Sequence, residues 1–146
     1  MPDSIRQQII EALDTQLKTI LTTGGYTSNL GSKVFEYRSH PLEESDLPCL
    51  IYRDLADTIA QTFGEQEHRL TVSLDIIANT TAKVLRGMIA DVHKCIGGNL
   101  TLGGLCMDIL PVSDEAIEVQ QDDRKFYGVS MKIVIQFVTA NWNPYA

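Results

Sequence analysis

Apolar residues fall along the chain in two helical patterns separated by stretches that alternate like strands. From residue 4 to residue 22, Ile5, Ile9, Leu13, Leu17 and Ile20 recur every three or four positions and make one stripe. Gln7, Gln8, Glu11, Gln16 and Lys18 fall mostly elsewhere. Ser4 and Gln7 have the spacing of a capping box, in which two side chains satisfy orphan amide donors at a helix start. Gly24-Gly25 supplies a stop, because glycine accepts the left-handed backbone of a helix C-terminus. The spacing predicts a helix over 4–22.

A short strand follows over 33–38, with Val34, Glu36 and Arg38 on one side and Phe35 and Tyr37 on the other. The segment "HPLEESDLP" reads as an acidic loop between two prolines. "CLIYRDL" reads as a strand from Pro48 to Leu55, and "ADTIAQTFGEQ" (56–66) as a connecting loop or bent hairpin tip. In "HRLTVSLDIIAN", Leu70, Val72, Leu74 and Ile76 alternate with Thr71, Ser73 and Asp75, the mark of a strand with one buried face.

A second helix is expected over 80–96, striped by Leu85, Met88, Ile89, Val92 and Ile96 and stopped by Gly97-Gly98. Gly87 inside it costs about 1 kcal/mol relative to alanine, so packing must hold this helix. "LCMDILPV" reads as a strand cut by Pro111, and "AIEVQQ" pairs across "DDRK" with "FYGVSMKIVIQFVTA". Val129, Met131, Ile133, Ile135 and Phe137 share one face of that last strand. Val134 and Val138 make its other face partly apolar, which puts it inside the sheet or under a partner. The order α-β-β-β-α-β-β-β predicts an α+β fold: one twisted, mostly antiparallel β-sheet with two α-helices packed on one face.

The 146 residues fit one domain, 1–146, with enough length to bury a core unaided by disulfides or metal. The net charge of −7 and the lack of a Lys/Arg run disfavour sequence-specific nucleic-acid binding. Arg124-Lys125 directly follows Asp122-Asp123, as in a solvated turn. Cys49, Cys95 and Cys106 each sit in an apolar stretch and read as reduced, buried thiols of a cytosol-like compartment. The start "MPDSIRQQIIEAL" lacks the basic-then-apolar pattern of a signal peptide, and no apolar run approaches a membrane span.

Candidate chemistry is thin. In "IGGNLTLGGLC", Gly98 and Gly103 have the spacing of a phosphate-binding loop, but Gly104-Leu105 stands where lysine and a hydroxyl belong. The glycines Gly97, Gly98, Gly103 and Gly104 therefore read as structural turns. His93 and Cys95, two apart on a helix, point about 200° apart, so no metal pair forms there. His40, His68 and His93 are tied by no motif to a serine or cysteine nucleophile, and Glu43-Glu44 and Asp122-Asp123 read as solvent-facing acids. No catalytic residue, metal ligand or cofactor is expected. Interaction surface is more prominent: Ile59 and Phe63 in a polar segment, and Trp142 and Tyr145 in the tail "TANWNPYA".

Four stretches carry a family resemblance: "IRQQIIEALDTQLKTI", "VFEYRSHPLEESDLPCLIYRD", "HRLTVSLDIIAN" with "ADVHKCIG", and "NLTLGGLCMDILPVSDE" with the terminal strands. Together they resemble the tail terminator proteins of long-tailed phages and prophages, the lambda-type minor tail protein U-like family. Asn99-Leu100 stands where the family often has Asp-Pro, and "TANWNPYA" where it often has a Tyr-Arg-Thr-like end. The resemblance implies a non-enzymatic virion protein, assembled in the bacterial host cytoplasm. It implies a ring, commonly of six subunits, that caps the head-proximal end of the tail tube, ends tube polymerisation and receives the head–tail connector protein. Implied partners are copies of itself, the tail tube protein and the connector, with no membrane. An acidic surface is compatible with DNA passing through a pore without sticking. Arg53, Asp54, Ile59 and Phe63, with Asn99, Leu100 and Thr101, are the expected subunit or tube contacts. Another neck component, such as a head–tail joining or tail-completion protein, and a small ligand-binding α+β domain are the alternatives.

Overall fold

The computed structural model describes residues 2–37, 42–121 and 124–146. Arg38, His40 and Asp122-Asp123 lie outside them. Two helices, α1 (Ile5–Leu17) and α2 (Ala82–Gly97), accompany strands β1 (Val34–Glu36), β2 (Cys49–Gln61), β3 (Glu65–Ala78), β4 (Asp108–Gln121) and β5 (Arg124–Ala140). The sheet order is β1-β2-β3-β5-β4. Every pairing is antiparallel except β1 with β2, which is parallel. The architecture is α+β, as the residue pattern predicts.

Burial follows the two periodicities. Leu70, Val72, Leu74 and Ile76 of β3 and Val129, Met131, Ile133, Ile135 and Phe137 of β5 form a single apolar face. Ile9, Leu13 and Leu17 of α1 and Met88, Val92 and Ile96 of α2 pack onto it. Both helices therefore cover one face of the sheet, and β5 lies inside it, between β3 and β4. A smaller cluster of Leu42, Cys49, Ile77 and Phe126 is separate from this core, with Phe35 and Ile51 packed against it.

Four expectations change. First, α1 ends at Leu17 rather than at residue 22. Beyond it the chain turns onto Gly31, whose N–H donates to the Ile20 carbonyl at 2.8 Å. The approach is so close that a Cβ on Gly31 would lie 2.6 Å from the Lys18 carbonyl oxygen. Gly25, at φ 90°, closes the later turn Thr22–Gly24 and not the helix. Second, only half of the capping box forms. The Ser4 hydroxyl accepts from the Gln7 N–H at 3.1 Å, while the Gln7 side chain turns forward to Glu11.

Third, residues 56–61 continue β2, so the hairpin turn is confined to 62–64. Fourth, Pro111 does not cut the chain into two strands. β4 runs through it with a register shift between Pro111 and Ser113, giving five strands where the sequence suggests six. Proline survives there because β4 is an edge strand, where a missing N–H need not break a ladder.

Two unforeseen carboxylates help hold the layers together. Asp91 of α2, 4% exposed, accepts from the backbone N–H and the hydroxyl of both Thr27 and Ser28. It thereby fixes the α1–β1 connection to α2. Asp14 of α1 accepts from the Tyr52 hydroxyl of β2 at 2.9 Å. Burial and that carboxylate raise the tyrosine's pKa well above its ordinary value. None of the three cysteines forms a disulfide, and all are buried. Burial, helped by Asp108, pushes the Cys106 thiol up to about 11. No helix among the described residues is long and apolar enough to cross a membrane.

Gly31→Ala should destabilise the fold by about 1–3 kcal/mol, because the added carbon overlaps backbone that cannot retreat. Gly97→Ala, whose new carbon meets nothing within 4 Å, should change stability by less than about 1 kcal/mol. Urea denaturation of the two variants checks the contrast.

Candidate interaction surface

The β2–β3 hairpin outgrows the helical layer. Its strands pair from Cys49↔Ile77 out to Gln61↔Gln66, with a bulge between Asp54 and Ala56. β1 pairs only with Leu50, Ile51 and Tyr52, so the outer edge of β2 beyond them has no strand partner among the described residues. Past the bulge, both faces of β2 carry exposed side chains, Asp57 excepted. Ile59 is 52% exposed, and Phe63, in the turn, is exposed in full.

At the base of this projection sits a network that motif reasoning missed. His68 of β3 is 9% exposed, and its ring stacks on Phe137 at 4.3 Å between centroids. Its Nδ1 lies 2.7 Å from Asp57 Oδ2 and its Nε2 lies 2.8 Å from Thr139 Oγ1. An ionised carboxylate can only accept, so Nδ1 carries a proton; with neutral imidazole, Nε2 accepts from the hydroxyl. One side chain on each of β2, β3 and β5 is thus joined across the sheet. Asp57 Oδ1 is buried without a hydrogen-bond partner, so the network has one open end. The order acid–imidazole–hydroxyl is that of a nucleophile relay, but Thr139 is only 4% exposed. The available signal was phase: Gln66 and His68 fall on the buried side of the alternation that continues at Leu70.

The C-terminal tail folds back beside this network. The Ile5 N–H donates to the Pro144 carbonyl at 2.8 Å, and the Ala140 N–H to the Ala146 carbonyl at 2.9 Å. Trp142 stays 84% exposed. Between it and Ile59 runs a groove of ≈ 440 Å³ floored by His68 and Thr139.

The expected contact residues fall into two groups. Arg53, Asp54, Ile59 and Phe63 lie along the hairpin. Arg53 is exposed, with its guanidinium 5.0 Å from the centre of the Tyr37 ring. Asp54 is already engaged: Arg6 of α1 donates to it through Nε at 2.8 Å and Nη2 at 2.5 Å. Its role here is to clamp β2 to α1. Asn99, Leu100 and Thr101 form the other group, in the turn between α2 and β4.

In that turn Leu102 (φ 48°), Gly103 (φ 74°) and Gly104 (φ 94°) are successive left-handed residues. Leu102 is buried and anchors the turn, and Asn99 Oδ1 accepts from the Gly103 N–H at 3.3 Å. Gly97 ends α2 and Gly98 caps it. His93 is exposed on α2 and Cys95 is buried. Among the described residues no group of three or more His, Cys, Asp or Glu is arranged to hold a metal ion.

No family model matches the chain, and no curated protein matches it. Among solved structures, a chain of the "Virion of native gene transfer agent (GTA) particle" is similar at 10% identity. The match covers 85% of this chain and 91% of that one, with a TM-score of 0.38. A likeness that distant carries neither a family nor a function across.

Thr139→Val keeps the shape of the side chain but leaves the buried Nε2 without its partner. It should cost about 1–3 kcal/mol and speed amide exchange in the hairpin, read by denaturation and hydrogen exchange. Gly103→Val places a β-branched residue at positive φ and should cost about 1–2 kcal/mol or more, again read by denaturation.

Proposed function

We propose that the chain is a structural protein of a phage or phage-like virion that works by docking and makes or breaks no bond. More finely, copies form a ring, six in the reading favoured by the sequence resemblance. That ring caps the head-proximal end of a tail tube, ends its polymerisation and receives the head connector. One observation carries the reading: the end of the β2–β3 hairpin, held by its ladder to β5, leaves Phe63 wholly exposed and Ile59 half exposed. Exposed apolar residues grouped on a fixed projection mark a contact surface. The His68 network suits this role as a brace, because it holds the projection's base in one arrangement. The four stretches that resemble tail terminators include the Asn99–Thr101 turn and the base of the hairpin, up to Asp54 and again from His68, while Ile59 and Phe63 fall between them.

Electron microscopy of particles lacking the protein tests the proposal. Overlong tails are expected. Tails of normal length detached from heads would favour a head–tail joining role instead. Phe63→Ala and Arg53→Ala should each lengthen or broaden the tail-length distribution. Unchanged tail length and ring assembly in both variants would remove the hairpin from the contact surface.

A further inference from the structure

We propose that Phe63 of one copy seats in an apolar slot between α2 and β4 of a second copy, joining copies head to tail. The inference rests on the reading of the chain as ring-forming and adds the two surfaces that meet.

The slot lies on the helix-covered face of the sheet. Ile96 and Leu100 line it from the α2 side, and Ile109, Pro111, Met131 and Ile133 from the sheet. Its volume is ≈ 200 Å³. A dry cavity of about 150 Å³ lined by similar side chains accepts benzene, so a benzyl side chain fits this one. The polar groups at the slot are few: His93 and Asp114, paired at 3.1 Å, and Lys132.

The knob that matches it is on the same chain and cannot reach it. Pro111 pairs with Ile133, and Ile133 with Val72. Phe63 lies beyond Glu65 at the far end of the same ladder, roughly 25–30 Å away at about 3.4 Å per residue. An apolar knob and an apolar pocket on different patches of one molecule make a heterologous contact. Each copy then keeps one free knob and one free slot until a ring closes. Charge agrees with this partner. From Thr58 to Glu67 the hairpin carries Glu65 and Glu67 and no lysine or arginine, while at the slot Asp114 is engaged by His93 and Lys132 supplies the positive charge.

Cross-linking in trans tests the contact. Phe63→Cys and Leu100→Cys are made separately, Leu100 being 41% exposed and one of the slot's lining residues. The native cysteines are buried and contribute little background. Mixed under mild oxidant, alone or on tail tubes, the two variants should give a disulfide-linked pair far above the yield of either variant by itself. Phe63→Ala should weaken assembly at least tenfold in sedimentation or native mass measurements, with thermal melting unchanged because Phe63 supports no core.

Assembly of Phe63→Ala equal to the wild type would overturn the knob while leaving ring formation intact. Loss of assembly without the cross-link would overturn the slot. A wild-type assembly that stops at a closed dimer would overturn the head-to-tail arrangement. A wild-type chain that stays monomeric both in solution and on tubes would sink the ring reading as well.

Discussion

The constraint behind this structure is a mismatch of lengths. α1 has 13 residues and α2 has 16, which span about 20 and 24 Å. The four long strands have 13 to 17 residues, and at about 3.3–3.4 Å each they span roughly 43–58 Å. Two helices on one face cannot cover strands of that length. The covered part is filled by leucine, isoleucine, valine and methionine. Beyond Leu70 on β3 and Phe137 on β5 the same face changes to His68, Gln66 and Thr139. The chain thus alters its chemistry where its helical cover ends.

At the far end of the hairpin β3 stays laddered to β5 as far as Glu65↔Ala140, but apolar contact there is thin and polar ties add to the ladder. Here the Asp57–His68–Thr139 chain spans β2, β3 and β5 at the base of the projection. Arg6 reaches from α1 to Asp54 at the bulge. The tail returns to the start of α1 through Ile5 and Pro144. Each contact is a polar tie between elements far apart in sequence. Together with the β3–β5 ladder they tie the far end of the hairpin to the rest of the fold, so its exposed residues are carried on ordered backbone.

Much of the fold was legible because burial imposes a period. The stripes of α1 and α2 and the alternation of β3 and β5 each place one face against the core, and the structure follows them. Legibility failed where burial has no phase. Apart from Asp57, residues 56–61 are exposed on both faces of β2, so no apolar alternation marked them as strand. Pro111 reads as a break locally, but the bulge beside it lets the ladder resume. The end of α1 is set by the approach of Gly31, a contact 11 residues downstream of Ile20 that no local pattern encodes. At the candidate surface, sequence singled out Phe63 and Ile59 as apolar residues out of context. It could not show that Asp54 is taken by Arg6, nor that His68 joins partners 11 and 71 residues away.

The outer rim of β4 has a further consequence. Among the described residues no strand pairs with it, and an open edge of this length is a template on which a foreign strand can zip up and start fibrous growth. Pro111 has no hydrogen to lend such a strand, and the irregularity after it throws the repeat out of step. A visiting strand would find two short runs instead of a continuous track. The break along that flank denies a foreign strand the uninterrupted template that fibrous growth needs.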